Sequence, residues 1–251
     1  MTLDATHACV IDLDGVVWLA GAALPGASEA VELLRRHGVA VLFATNNAAP
    51  TVAELRARLA RVGIDAAPEE VATSAQAAAS LLAPGDRVHV LGAAGLCEAV
   101  DAVGAERDAS ATPRDVASVL VGLTTSFDYH ALDVASTLVR DGSRFIATNR
   151  DPTLPVPGGQ APGAGAIVAA VASASGREPE VAGKPHEPMC ELVRRRVQVG
   201  VVVGDRASTD GRFAAALGVP FAHVASGIGE PADGAAVSAP DLLRAVEALL
   251  G

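Results

Sequence analysis

The sequence predicts an α/β protein built on a Rossmann-like, doubly wound parallel sheet, with a second and smaller α/β unit inserted into it. Three observations predict it. Apolar, β-branched runs alternate with helical patterns along most of the 251 residues. Three of those runs break off into polar residues, at Asp12, Thr45 and Asp205, as strands do where a parallel sheet meets its ligand crevice. Hydrophobic residues make up 50% of the chain and aromatic ones only 3%, so the core must be packed from Ala, Val and Leu in close helix–sheet contacts.

In chain order, the first strand is the run Cys9-Val10-Ile11 that ends in Asp12-Leu13-Asp14-Gly15. The glycine-punctuated segment from Leu19 to Gly26 is expected to form a small hairpin over the strand ends, with Trp18 as one of its packing residues. A helix is expected from Glu29 to His37, capped by Ser28, and a second strand from Val39 to Ala44, leading into Thr45-Asn46-Asn47. Helices should follow over Thr51 to Val62 and Ser74 to Leu82. The turn cluster Ala83-Pro84-Gly85-Asp86 marks a boundary, after which alternation restarts. Strands are expected at Arg87 to Leu91, Ala117 to Leu123 and Arg144 to Ala147, with helices at Ala94 to Val103 and Tyr129 to Arg140. The Pro- and Gly-rich piece from Pro152 to Gly165 reads as a loop, and Ala166 to Ser175 as a helix with Ile167, Val168 and Val171 turned inward. Gly183-Lys184-Pro185 returns the chain to the first unit. There a helix from Pro188 to Arg196 precedes the strand Val199 to Val203, a strand spans Phe221 to Val224, and a last helix spans Ala239 to Leu250. The first unit is thus expected over 1–83 and 180–251, and the inserted unit over 84–179.

A net charge of −10 argues against a nucleic-acid or anionic-membrane surface, which needs clustered Lys and Arg. Met1-Thr2-Leu3-Asp4 lacks a positive region followed by an apolar core, so no secretory signal is expected. Cys9, Cys97 and Cys190 have no paired spacing, which suits reduced thiols in a cytoplasmic protein.

Strands of one parallel sheet point the same way, so Asp12, Thr45 and Asp205 should converge at one edge. The bland alternative for Asp12 and Asp14 is a solvated Asp-Gly turn. Three carboxylates, Asp12, Asp14 and Asp205, repel one another unless a cation sits among them, and a hard divalent ion such as Mg²⁺ takes oxygen ligands of this kind. Lys184 on its turn, the Thr45 hydroxyl and nearby backbone N–H groups supply what holds a phosphoryl group. A carboxylate there can act as nucleophile, and a neighbour two residues on as acid and base, roles that Asp12 and Asp14 fit. The remaining histidines show no ligand spacing, and Arg206 reads as pairing with a nearby carboxylate.

Asp12-Leu13-Asp14-Gly15-Val16-Val17-Trp18, Thr45-Asn46-Asn47, Gly183-Lys184-Pro185 and Gly204-Asp205-Arg206 with Thr209-Asp210 stand in the order of four known motifs. On them the chain resembles the haloacid dehalogenase superfamily, and over its whole length the NagD-type, subclass IIA phosphatases, whose C2-type cap is inserted between the second and third motifs. The resemblance implies a Mg²⁺-dependent phosphatase acting on a small phosphorylated metabolite through an aspartyl-phosphate intermediate. It implies Asp12 as nucleophile and Asp14 as acid/base. Mg²⁺ is then held by Asp12, the backbone carbonyl of Asp14 and Asp205, with Asp210 in support. Thr45 and Asn46 bind the phosphoryl oxygens, and Lys184 balances charge. Asn149, Arg150 and Asp151 reach the substrate from the cap, although Arg150 also reads as a solvated loop residue. A homodimer through the cap is common among such proteins. The stretch from Pro152 to Lys184 is similar to actinobacterial glycerol 3-phosphate phosphatases. Ala207, Gly211 and His186 depart from the usual pattern, and Gly211 implies a looser turn after the fourth motif. A phosphotransferase or mutase using the same chemistry, and a catalytically idle metabolite-binding regulator, are the alternatives.

Overall fold

The structure, a computed structural model, describes residues 3–108, 110, 114–226, 232 and 234–251. Its first strand, β1 (Ala8–Ile11), is buried on both faces. Cys9 and Ile11 enter one apolar cluster and Val10 another, which is the two-residue alternation of a strand sandwiched between helix layers. A small hairpin, β2 (Trp18–Leu19) and β3 (Ala22–Ala23), follows as expected. Helix α1 (Ala27–Arg36) then leads to β4 (Ala40–Thr45). Ser28 is not its cap: the helix begins one residue earlier, and the Ser28 hydroxyl instead donates to Glu29 at 2.9 Å.

Helix α2 (Val52–Arg61) is held at its start by a reciprocal capping box, in which Thr51 accepts from the Glu54 backbone and Glu54 accepts from the Thr51 backbone. The strand β5 (Val71–Thr73) and the helix α3 (Ser74–Ala79) come next, the helix shorter than the Ala-rich stretch suggested. The first sheet takes three strands, β1, β4 and β5, from the N-terminal part of the chain and three from the C-terminal part. After α7 (Glu187–Arg194, numbered after the inserted elements below) come β13 (Val199–Gly204), α8 (Arg212–Leu217), β14 (Phe221–Val224), β15 (Val237–Ala239) and α9 (Leu242–Leu250). The sheet order is β15-β14-β13-β1-β4-β5, parallel throughout. Ala239, expected to begin the last helix, instead ends β15 and pairs with β14, and Asp241 caps α9 through the Arg244 backbone.

The inserted elements are β6 (Arg87–Leu91), α4 (Ala94–Ala102), β7 (Glu106–Arg107), β8 (Ser118–Val121), α5 (Tyr129–Arg140), β9 (Arg144–Ala147), β10 (Thr153–Val156), β11 (Gly159–Pro162), α6 (Ala164–Ser175) and β12 (Glu180–Val181). They build a second parallel sheet in the order β12-β9-β8-β6-β7, whose pairing runs to Val181. The segment from Pro152 to Gly165 is not a featureless loop: β10 and β11 form an antiparallel hairpin with Leu154 opposite Ala161. Helices α5 and α6 cover one face of this sheet with Leu138, Val139, Ile167, Val168 and Val171. The other face, through Val88, Leu120 and Ile146, joins the cluster that contains Val10, Leu42 and Val202 of the first sheet. One apolar cluster therefore joins the two units. No helix among the described residues is long and apolar enough to cross a membrane.

The units also meet where α4 starts. Gly95 donates its backbone N–H to Ala49 at 2.9 Å, and a Cβ at Gly95 would collide with the Pro50 carbonyl. Gly95→Ala must push the two chains apart, which is expected to cost roughly 1–3 kcal/mol and to lower Tm by several degrees. An unchanged Tm in a thermal melt would show that this contact does not hold the units together.

Candidate active site

The parallel sheet puts three loops at one edge. Asp12 follows β1, with its backbone N–H donating to Val203 at 2.9 Å, while Thr45 ends β4 and Asp205 follows β13. Asp210 sits in a π-helical turn, Ala207–Gly211, closed by a 2.8 Å bond from its own backbone N–H to the Arg206 carbonyl. The looser turn expected at Gly211 is instead hydrogen-bonded, and Gly211 has ordinary helical dihedrals. Oxygens of Asp12, Asp205 and Asp210 lie within 4.8 Å of one another, all buried.

Lys184 enters this cluster from the turn before α7. Its ammonium donates to Asp12 Oδ1 and to Asp210 Oδ1, both at 2.7 Å, with the lysine side chain only 3% exposed. Burial works against the charged lysine, but the two carboxylates outweigh it and hold its pKa above the ordinary lysine value. Burial pushes the Asp12 carboxyl well above the usual range; Lys184 opposes that, and Asp210 and Asp205 add to it. Asp205 is pushed up to about 6 by burial and by Asp210. With all three carboxylates ionised, one ammonium leaves the cluster with two negative charges in excess.

The donor set fits a hard divalent cation. Asp205 Oδ1 is buried and accepts no hydrogen bond, an arrangement that costs stability unless a cation satisfies it. Gly15 leaves the room: a Cβ there would strike the Asp205 carboxylate, and its φ of +89° suits glycine alone. The side chain of Asp14 lies outside the three-carboxylate group. Its Oδ1 accepts from Trp18 Nε1 at 3.0 Å, and burial raises its pKa against the pull of that bond.

Thr45 is buried, and its hydroxyl accepts from the Asn47 backbone at 3.0 Å. The Asn46 amide is already engaged, donating to Asp151 Oδ2 and to the Lys184 carbonyl, both at 3.2 Å. Asn149 reaches across in the other direction, donating to the Asn46 carbonyl at 2.7 Å and accepting from the Asp151 backbone at 3.0 Å. These bonds tie the inserted unit to the first at the mouth of a cavity of about 80 Å³ lined by Asp12, Asp14, Thr45, Asn149, Asp151 and Lys184.

Arg150 is not brought to this cavity. It pairs with Glu178 at 2.9 Å on the surface, the solvated alternative open to a charged loop residue. His186 also stays outside the lining, its ring against the Gly183 carbonyl at 3.1 Å. Arg206 makes no carboxylate ion pair among the described residues; it lines the cavity, where its charge pulls on both Asp205 and Asp14. The Trp18 indole is the partner that sequence patterning missed. Its position four residues after Asp14, on a tight Asp-Gly turn, is the only sign of it in the sequence.

A haloacid dehalogenase-like hydrolase family model matches residues 9–106, and a second, HAD-hydrolase-like model matches 181–248. A D-glycerol 3-phosphate phosphatase of Mycobacterium tuberculosis is 40% identical over 229 residues, which is 88% of this chain and 64% of that protein. The chain thus spans less than two thirds of that relative's length. An acid sugar phosphatase of Staphylococcus haemolyticus is 34% identical over 229 residues, covering 87% of this chain and 85% of the relative. The crystal structure of a glycerol phosphate phosphatase of M. tuberculosis in complex with magnesium superposes with a TM-score of 0.86 at 34% identity, over 98% of this chain and 78% of that one. Matched on both halves of its first sheet by the family's models, and by these relatives across the inserted unit as well, the chain belongs to the haloacid dehalogenase-like hydrolases.

Proposed function

We propose that this protein is a Mg²⁺-dependent phosphatase that hydrolyses a small phosphomonoester through an aspartyl-phosphate intermediate. The observation that carries the reading is the Lys184 ammonium bonded at once to Asp12 and Asp210, with Asp205 beside them, at the carboxyl edge of a parallel sheet. The ammonium opposes the burial that raises the Asp12 pKa and so favours the ionised carboxylate that a nucleophile requires beside a site for a phosphoryl group. The curated relatives, a glycerol 3-phosphate phosphatase and an acid sugar phosphatase, make glycerol and sugar phosphates the first substrates to try.

In this reading Asp12 attacks phosphorus, forming the Asp12 O–P bond while the bond to the leaving alcohol breaks. Asp14, whose pKa is raised by burial, gives its proton to the leaving oxygen. Asp14 then takes a proton from the water that attacks the aspartyl-phosphate, so that phosphate leaves and both carboxyls return to their starting states. Thr45 and the backbone N–H groups beside it orient the phosphoryl oxygens, and Lys184 offsets charge on them and on Asp12. Asp12, Asp205 and the Asp14 backbone carbonyl would hold Mg²⁺, with Asp210 supporting; bound there, the ion supplies positive charge to the phosphoryl oxygens. The Asn46 amide, engaged by Asp151, serves to register the inserted unit over the phosphate corner. That unit, over 84–179, acts as the cap that excludes water and selects the alcohol.

Asp12→Asn is expected to lower kcat for any hydrolysed ester by at least roughly 10³-fold; a variant of near-normal activity in a phosphate-release assay would remove Asp12 as nucleophile. Trp18→Phe deletes a hydrogen bond to an ionisable group, worth roughly 1.5–3 kcal/mol. It should cut kcat about 10-fold or more with little change in KM, and an unchanged kcat would show that the indole only packs. Mg²⁺ at about 100 times its Kd should add about 2.7 kcal/mol to stability, read as a rise in Tm. Ligation needs the Asp205 carboxylate, so this gain is expected to fade as pH drops through about 6, and to vanish in Asp205→Asn. Without Mg²⁺ the sign reverses: the folded state binds the Asp205 proton more tightly than the unfolded chain, so its contribution to stability is lost as pH rises from 3.8 through about 6. A Mg²⁺-induced Tm shift that ignores pH across that range would contradict the assignment of Asp205.

A further inference from the structure

The catalytic cavity, at about 80 Å³, has room for a phosphoryl group and little more; pockets that enclose whole small-molecule ligands run roughly 300–1,000 Å³. The alcohol of the substrate must therefore extend elsewhere. The proposed acid fixes the direction, because Asp14 has to touch the leaving oxygen, so the organic part begins where Asp14 is. Asp14 lines a second cavity, of about 540 Å³, and Asn47, Leu154 and Pro155 are likewise shared by the two.

The walls of this second cavity are of two kinds. Trp18, Ala23 and the β10 segment present carbon surface, and the last turn of α2 presents Arg58 and Arg61. Spaced three residues apart, the two arginines share a helix face. In a protein of net charge −10, several arginines elsewhere pair with carboxylates, Arg35 with Glu70, Arg107 with Asp101, Arg144 with Glu180 and Arg244 with Glu247, while Arg56 and Arg140 bond backbone carbonyls. The Arg58 and Arg61 side chains make no ion pair or hydrogen bond to any described residue, yet Arg58 is near enough for its charge to pull on the Asp14 carboxyl. Cations left without an acidic partner beside a leaving-group cavity are suited to an anion brought by the ligand, and a guanidinium takes a carboxylate or a phosphate in the same forked geometry.

We propose that Arg58 and Arg61 form an anion subsite for the leaving alcohol, so that the preferred substrates are phosphomonoesters whose alcohol carries a second anionic group, a carboxylate or another phosphate. The proposal rests on the phosphatase reading for the direction of the substrate. It goes beyond the glycerol phosphate of the relatives, whose alcohol is uncharged. The competing explanation is that both arginines only offset the carboxyl-end dipole of α2, which would cost a little stability when they are removed and treat all substrates alike.

The test measures kcat and KM of the wild type and of the Arg58→Gln/Arg61→Gln double variant on 2-phosphoglycolate, fructose 1,6-bisphosphate and two esters with uncharged alcohols, glycerol 3-phosphate and fructose 6-phosphate. The wild type should favour at least one anionic ester over its neutral counterpart by roughly 10-fold in kcat/KM. The double variant should lose that preference through KM, while any change in kcat that reaches the reaction through Asp14 is shared by all four esters. Preference for 2-phosphoglycolate alone or for the bisphosphate alone assigns the subsite to carboxylate or to phosphate. Equal losses on all four esters, or a wild type that favours the neutral ones, would overturn the proposal. Calorimetric binding of 2-phosphoglycolate, fructose 1,6-bisphosphate and their neutral counterparts to Asp12→Asn, with and without the two arginines, separates the two readings. Turnover of no ester by the wild type would sink the phosphatase reading. Equal affinity for charged and neutral esters in Asp12→Asn would sink the subsite, whatever the turnover.

Discussion

Everything at this sheet edge depends on one buried ammonium. Lys184 satisfies Asp12 and Asp210 with two 2.7 Å bonds in a place that water scarcely reaches. A carboxylate stripped of water without a partner protonates or unfolds its surroundings, so the lysine is what favours the ionised Asp12 on which the proposed mechanism relies. It does so only in part. Asp205 remains beside the pair with an oxygen that accepts no hydrogen bond, and the negative charge left over is the reason the cluster fits a divalent cation.

The fold supplies that interaction from parts far apart in sequence. Asp12 and Lys184 are separated by 172 residues, and the parallel pairing of β1 with β13 and β4 is what brings the loops after these strands together. Lys184 has to return from the inserted unit, and the chain re-enters the first unit just after β12. The two units are therefore coupled by the apolar cluster shared between the sheets, by the Gly95–Ala49 contact at the start of α4, and by the polar contacts of Asn46 with Asp151 and Asn149. Two adjoining cavities meet at Asp14, one at the carboxylate cluster and one toward Trp18, β10 and α2; the proposed reading gives the first to the phosphoryl group and the second to the alcohol.

The long, periodic elements were legible in the sequence. Arg87–Leu91, Tyr129–Arg140, Arg144–Ala147 and Phe221–Val224 have the limits that their patterns suggested, because each buries a regular stripe against a neighbour. The convergence of Asp12, Thr45 and Asp205 was legible too, since it follows from strand direction alone. The strands β5 and β12 and the β10–β11 hairpin were not: they are too short to show a period, and Pro155 and Pro162 disguise the hairpin. At the site, residue types announced the acids and the lysine, whereas partners set by side-chain direction had no signal. Nothing in the sequence distinguished Arg150, which turns to Glu178, from Arg58, which turns to the cavity. The Trp18 bond to Asp14 depends on the turn closing through the Gly15 and Trp18 backbones, a detail below the resolution of patterning.

The central claim is that Asp12 carries the phosphoryl group between its two transfers. The most direct measurement is a rapid acid quench of the wild-type enzyme during turnover of a hydrolysed phosphomonoester with Mg²⁺, followed by borohydride reduction and peptide mapping by mass spectrometry. Borohydride converts an aspartyl-phosphate to homoserine, so the account predicts homoserine at position 12 and nowhere else. Turnover that leaves Asp12 unmodified, or that places the adduct on another residue, would contradict it.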